Sequence, residues 1–285
     1  MTDRAPAAHA MRIAREALAE DGARDITSLV TVLPGTSAEA RFEFRSGGVV
    51  AGTAYADAVA AACGTPAPTW IVREGDEVLP GTVIGTMHGD LALLLRAERP
   101  MLNLLQRAAG IATATRAFVD ALRGTSCRVL HTRKTAPGLR ALDVSAVLAG
   151  GGHLHRTDLA GTVMVKDNHW QALIRSGRTL AQALDDARRR GVEALQVEVE
   201  TPAQVDEACR AHATRLLIDN QGPATVAEWA ARARALAPGI EIEATGGITL
   251  ENARAYADAG ADYISIGALT HSVKAGDVAM EVDGQ

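Results

Sequence analysis

The chain has 285 residues, of which 47% are apolar and only 3% aromatic, and its formal net charge is −5. This length suits one large or two modest domains with a sizeable core, and the apolar content excludes a disordered chain. Few aromatics and an acidic balance exclude nucleic-acid binding by base stacking or by a broad basic face, so any basic cluster must be a local pocket.

The periodicity predicts a first helix over 9–20, with Ile13, Ala14, Ala17 and Leu18 on one face. From Thr31 to Gly89, short runs broken by Gly and Pro read as strands around a helix at 54–62. Ala40 to Phe44 alternates, Val49 to Gly52 is a short buried run, and 71–85 has the turn spacing of a small β-sandwich. That last stretch resembles biotinyl and lipoyl carrier domains, but no lysine lies between Met1 and Cys127, so carrier chemistry is excluded. Residues 91–122 read as helical, with Pro100 starting a new helix at its first turn. From Arg128 the rhythm becomes strand then helix. Apolar strands are expected at 128–131, 163–165, 194–199, 215–218, 241–244 and 262–266, with helices near 137–149, 179–190, 202–211, 223–236 and 250–259. Such alternation implies a parallel sheet. Polar clusters at nearly every strand end favour a barrel, because an open sheet gathers its site at one crevice.

Those clusters carry the chemistry. Thr132, Arg133 and Lys134 follow the first strand and precede a Pro137-Gly138 break; Gly150-Gly151-Gly152 and then His155-Arg156 come next. Arginine's planar fork suits carboxylate or phosphate. Lys166 ends the second strand before Asp167-Asn168-His169; it is either a Schiff-base lysine or a fixed positive charge, and its basic neighbours favour the latter. Glu198 and Glu200 are two apart on a strand and share a face, while Asp219 ends the next. Such carboxylates facing cations can hold Mg²⁺ beside a pyrophosphate or stabilise a cationic sugar-like transition state. Thr245-Gly246-Gly247 and Ser265-Ile266-Gly267 occupy the last two strand ends, where exposed backbone N–H groups and a helix N-terminus favour an anion. Together these point to a poly-anionic, phosphorylated substrate.

Cys63, Cys127 and Cys209 lie far apart with no CxxC pair and read as reduced thiols. Charges at Asp3, Arg4, Arg12, Arg15 and Glu16 leave no secretory apolar stretch, and no run reaches membrane length, so a cytoplasmic protein with no membrane or nucleic-acid partner is expected.

The string from His131 to Arg140, HTRKTAPGLR, resembles the TRKT-PG-R signature of the quinolinate phosphoribosyltransferase family, the carboxylating nicotinate-nucleotide pyrophosphorylases. The glycine run, His155-Arg156, Lys166 to His169, Val197 to Glu200, Asp219-Asn220, Thr245 to Ile248 and Gly267 to Ser272 follow in the family's order, and Glu98 to Asn103 resembles its upstream ER-LN motif. The resemblance spans roughly residues 25 to 275. It implies an N-terminal α/β sandwich domain over 1–110, with room for the tail 272–285 to pack back on it, and an incomplete parallel α/β barrel over 111–271. It implies a type II phosphoribosyltransferase that joins quinolinate to phosphoribosyl pyrophosphate with Mg²⁺, giving nicotinate mononucleotide, pyrophosphate and CO₂ for NAD biosynthesis. By the same resemblance Arg99, Arg133, His155, Arg156 and Lys166 hold quinolinate, with Thr132 beside them. Lys134, Glu198 and Asp219 serve the phosphoribosyl and metal end, and Thr245, Gly246, Gly247, Ser265 and Gly267 the 5-phosphate. It further implies a homodimer in which Arg99 reaches the neighbour's site, with a hexamer as the larger assembly. The sequence departs from the family pattern at His131, Val144-Ser145, Leu154, Trp170 and Thr245. The alternative is a paralogous phosphoribosyltransferase for nicotinate or another small acidic heterocycle.

Overall fold

The computed structural model describes residues 4–283. In chain order the elements are α1 (Arg4–Glu20), α2 (Ile26–Thr31), β1 (Ser37–Phe44), β2 (Gly48–Val49), α3 (Thr53–Cys63), β3 (Thr69–Trp70), β4 (Glu77–Val78), β5 (Thr82–Asp90) and α4 (Leu91–Ala121). There follow β6 (Arg128–Leu130), α5 (Arg140–Ala149), β7 (Val163–Val165), α6 (Asp167–Ser176), α7 (Leu180–Arg189), β8 (Leu195–Val199), α8 (Pro202–Arg210) and β9 (Arg215–Asp219). The last are α9 (Pro223–Leu236), β10 (Glu241–Thr245), α10 (Leu250–Asp258), β11 (Tyr263–Ser265), α11 (Ala268–His271) and β12 (Val278–Asp283). No helix among the described residues is long and apolar enough to cross a membrane.

The chain divides into two compact units. The first comprises Met1–Arg116, Lys134–Gly151 and Ala268–Gln285; of these, residues 1–3 and 284–285 lie outside the described residues. Its antiparallel sheet has the order β12-β1-β5-β3. On β1 alternation does the sorting: Ala38, Ala40, Phe42 and Phe44 are buried, while Glu39, Arg41 and Glu43 turn outward. The final strand β12 completes the sheet by pairing antiparallel with β1, Glu39 against Asp283 through Phe44 against Val278.

The second unit, Ala117–Arg133 and Gly152–Gly267, holds a six-stranded sheet of order β6-β11-β10-β9-β8-β7. Every neighbouring pair is parallel. The hydrogen-bonded order ends at β7 on one side and, apart from a single bridge from Leu130 to His153, at β6 on the other, so the barrel is incomplete.

Three expectations need correction. Pro100 does not begin a helix; it lies inside the continuous α4. A proline there costs roughly 3 kcal/mol, and the burial of Leu94, Ala97, Met101, Leu102 and Leu105 on that helix outweighs it. A helix that the periodicity did not suggest, α6, starts directly after Lys166; only Trp170 on it is buried, so it carries almost no apolar stripe. Glu198 and Glu200 do not share a strand face, because β8 ends at Val199 and Glu200 is exposed, its N–H donating to Gln204 Oε1 at the start of α8.

Candidate active site

Register decides what the parallel sheet presents on each face. Val163, Leu195, Val197, Val199, Leu216, Ile218, Ile242, Ala244, Ile264 and Val129 fall in one phase, all of it apolar. The other phase holds Met164, Gln196, Glu198, Arg215, Leu217, Asp219, Glu241, Glu243, Thr245, Tyr263, Ser265 and Arg128. The polar side chains therefore share a face, and Gln196, Glu198, Glu243 and Ser265 are buried on it. Buried charges need partners.

Deep on that face, Arg215 supplies one. Its Nε and Nη1 donate to Glu241 Oε2 at 2.8 Å and Glu243 Oε2 at 3.1 Å, and its guanidinium stacks 4.0 Å above the Tyr263 ring. Tyr263 in turn donates its hydroxyl to Glu241 at 2.9 Å. Burial opposes the guanidinium's charge, but Glu243 and Glu241 outweigh it and raise the Arg215 pKa. Glu243 is 1% exposed and faces His155, Nε2 to Oε2 at 3.3 Å, without the alignment of a hydrogen bond. Burial would raise the Glu243 pKa, yet the contact and charge of His155 together with Arg215 hold it below the ordinary value.

Nearer the carboxyl ends of the strands, Lys166 Nζ meets Glu198 Oε2. The Lys166 N–H donates to His169 Nδ1 at 3.0 Å, and the Trp170 indole donates to the Glu198 carbonyl at 2.9 Å, so α6 fixes both members of the pair. Arg156 lies within electrostatic reach of Arg133, Glu198 and Glu243; burial first and then the Arg133 charge lower its pKa. The buried atoms Arg133 Nε, His155 Nε2, Gln196 Oε1 and Glu243 Oε1 have no hydrogen-bond partner, a cluster of unmet polar capacity suited to a polar ligand. His131, fully buried, accepts the His155 N–H on Nε2 at 3.0 Å.

The remaining predicted residues stand in one row. Thr245 pairs with both Asp219 and Ser265, and Ser265 with Leu130, directly before the His131-Thr132-Arg133 segment. Asn220, at φ +52, donates its amide to Asp219 at 2.7 Å and its backbone N–H to the Thr245 carbonyl at 2.8 Å. Gly246 and Gly247 have φ of +83 and +62, which turns the chain from β10 toward α10. Gly267 ends this unit.

Arg99 and Lys134 belong to the first unit. Arg99 is exposed on α4, 3.8 Å from Glu98. Lys134 is also exposed, its carbonyl accepting from Thr270 Oγ1 at 2.9 Å. The following loop is anchored by residues the motif reading passed over. Asp143, fully buried, takes two bonds of 2.7 Å from Arg107 and one of 3.1 Å from the Ala136 N–H. His9 and Arg12 of α1 reach the Gly138 carbonyl at 3.0 and 3.2 Å. The motifs also leave out Glu243 and Arg215, although the alternating polar residues of β10 signal Glu243.

Among the described residues no group of three or more His, Cys, Asp or Glu is placed to hold a metal. Glu198 and Asp219 are a pair of carboxylates, which suits an ion completed by substrate phosphates and water better than a protein-only cage.

Two family models cover almost the whole chain. One described as quinolinate phosphoribosyl transferase, N-terminal domain, matches residues 25–109, and its C-terminal domain counterpart matches residues 111–281. The chain is 39% identical over 276 residues to the carboxylating nicotinate-nucleotide pyrophosphorylase of Mycobacterium leprae, covering 94% of this chain and 95% of that protein. It is 37% identical over 286 residues to quinolinate phosphoribosyltransferase (decarboxylating) 1b of Nicotiana tabacum, covering 94% and 80% respectively. The solved structure of the nicotinate-nucleotide pyrophosphorylase from Francisella tularensis superposes with a TM-score of 0.90 at 30% identity, over 99% of this chain and all of that one. Matched along both domains in sequence and in fold, the chain belongs to the quinolinate phosphoribosyltransferase family.

Proposed function

We propose that this chain transfers the phosphoribosyl group of phosphoribosyl pyrophosphate to quinolinate with loss of CO₂, yielding nicotinate mononucleotide and pyrophosphate in NAD biosynthesis. One observation within the second unit carries the reading: Arg156 sits within electrostatic reach of Arg133 and of the Lys166-paired Glu198. A diacid needs such a cluster of cations, and a ribosyl cation needs carboxylates beside it.

In this reading Arg133, His155, Arg156 and Lys166, with Thr132, bind the two carboxylates of quinolinate. Lys134 is assigned to phosphoribosyl pyrophosphate by the family resemblance, and Gly246, Gly247 and Gly267 offer backbone N–H groups to the 5-phosphate with Thr245 and Ser265. As the bond from ribose C1 to pyrophosphate stretches, positive charge builds on the ribose, and the fixed carboxylates of Glu198 and Asp219 stabilise it. The pyridine nitrogen forms the new bond to C1. The adjacent carboxylate then departs as CO₂; the electron pair it leaves stays on the ring carbon, stabilised by the neighbouring positive nitrogen, and is taken by a proton. Mg²⁺, when bound, supplies positive charge to the departing pyrophosphate; Glu198 and Asp219 would hold it. A cytoplasmic homodimer in which Arg99 serves the neighbouring site, or a hexamer of such dimers, is part of the same proposal, supported by the exposure of Arg99.

The test is release of CO₂ from carboxyl-labelled quinolinate by the purified protein. Release is expected only when phosphoribosyl pyrophosphate and Mg²⁺ are both present. Turnover of nicotinate in place of quinolinate would transfer the chain to the paralogue reading.

A further inference from the structure

His131 stands directly before the Thr132-Arg133 segment, and its surroundings give it a task. The amide of His153 donates to the Val129 carbonyl at 2.8 Å, so the segment entering the second cationic cluster runs beside β6 like a short parallel strand. The next amide in phase is that of His155. It donates to the His131 ring, to Nε2 at 3.0 Å. A side chain thus takes over where the backbone ladder stops.

A backbone N–H can only donate, so Nε2 carries the lone pair, and in a neutral ring the proton sits on Nδ1. Nδ1 lies 3.3 Å from the Thr132 carbonyl, which accepts it. The ring is fully buried and stands edge-on to the His155 ring, with centroids 6.3 Å apart. Both ring nitrogens are therefore spent on backbone groups, one on each side of the cationic cluster.

We infer that His131 is a positioning residue: its neutral imidazole ties the Thr132-Arg133 segment to the His155-Arg156 segment and so presets the spacing of the two arginines for a dicarboxylate. The inference rests on the proposed quinolinate reaction. Arg133 follows His131 by two residues and Arg156 follows His155 by one. The guanidiniums are near enough for the charge of Arg133, after burial, to depress the Arg156 pKa. Like charges on free segments would drift apart, and the ligand would have to gather them again; a fixed spacing removes that cost. A carboxylate at this position could accept the same amide, but its charge would offset the arginines. A neutral acceptor constrains them without doing so.

The test compares His131→Gln with His131→Asn by steady-state kinetics in both substrates and by calorimetric binding of quinolinate. Glutamine places an amide oxygen near the Nε2 position, whereas asparagine places it near Nδ1. The asparagine variant should raise the quinolinate KM and Kd about tenfold, the loss expected when a buried N–H is left without its acceptor, with kcat and the phosphoribosyl pyrophosphate KM within about threefold of wild type. Glutamine should restore most of the quinolinate affinity. Equal quinolinate constants for both variants and wild type would overturn the assignment, as would a parallel loss of kcat and of both KM values in both variants. Wild-type protein that neither binds nor turns over quinolinate would instead sink the reaction on which the inference rests, an outcome visible before any variant is made.

Discussion

The ammonium of Lys166 rests on the carboxylate of Glu198, joining the end of one strand to the wall of the next. Glu198 is 7% exposed, and Lys166 is the cation beside its buried carboxylate. Replacing Lys166 with Met should lower kcat/KM for quinolinate by about thirtyfold or more, since truncating one partner of a charge pair whose carboxylate is buried costs about 2–5 kcal/mol. Glu198→Gln should chiefly lower kcat, because its carboxylate is assigned to the charge that develops on the ribose. Near wild-type kcat in Glu198→Gln would remove that role.

Trp170 makes the same pair dependent on α6. Phenylalanine would delete its indole bond to the Glu198 carbonyl while keeping an aromatic ring at that position. Trp170→Phe should lower stability by about 1 kcal/mol, whereas Trp170→Ala should cost about 3–5 kcal/mol through the cavity it opens. Urea unfolding separates the two; no loss of stability in Trp170→Phe would mean that the indole N–H contributes nothing.

Two adjacent glycines should respond differently to alanine. At Gly246 a Cβ would run into the Asn220 amide and come within 3.0 Å of the Asn220 N, whereas at Gly247 nothing lies within 4 Å. Gly247→Ala therefore carries only the backbone cost of a left-handed residue, about 1–2 kcal/mol. Gly246→Ala adds displacement of Asn220, which holds Asp219. The KM for phosphoribosyl pyrophosphate should rise at least tenfold more in Gly246→Ala than in Gly247→Ala, and similar values would contradict the placement of the clash.

Acid should destabilise the second unit through Glu243. Its folded pKa lies below the ordinary 4.5 despite burial, because of His155 and Arg215. Between the folded pKa and 4.5 the unfolded chain binds more protons, so the stabilisation is complete above 4.5 and is lost as pH falls through the folded value. Melting temperatures measured from pH 6 downward should show a slope below about pH 4.5 that Glu243→Gln makes shallower. A superimposable slope in that variant would assign the acid sensitivity elsewhere.

If Arg99 serves a neighbouring subunit, Arg99→Ala and Arg133→Ala should each be inactive alone and regain partial activity after mixing and subunit exchange. Mixed variants that stay inactive, while exchange is confirmed by differently tagged subunits, would place all the required residues on one chain.

Much of this was legible in the sequence, for physical reasons. The strand at 163–165 is a short apolar run ended by a lysine, and the structure places β7 at Val163–Val165. Polar residues closing successive strands pointed to the row formed by Asp219, Thr245 and Ser265. Glu243 and Arg215 escaped because alternation ordinarily marks a strand with its polar side in water, whereas here the polar side faces inward and its charges are matched across strands. His131 escaped because a histidine before a motif looks incidental until both ring nitrogens are seen bound to backbone. Helix α6 escaped because it is only ten residues long and holds a single buried side chain, Trp170.

The pairing of β12 with β1 has a consequence for how the molecule comes into being. The last strand of the described residues covers the edge of the first, across more than two hundred intervening positions. Until then β1 presents an unpaired row of backbone groups, the kind of edge that templates aggregation, and contacts so distant in sequence are slow to form. The second unit, by contrast, lies wholly upstream of α11 and β12, and its sheet is built from strands nearer in sequence. Closing that distant β1–β12 edge, more than any pairing between neighbours in the parallel sheet, should therefore be the slow and exposed step in folding.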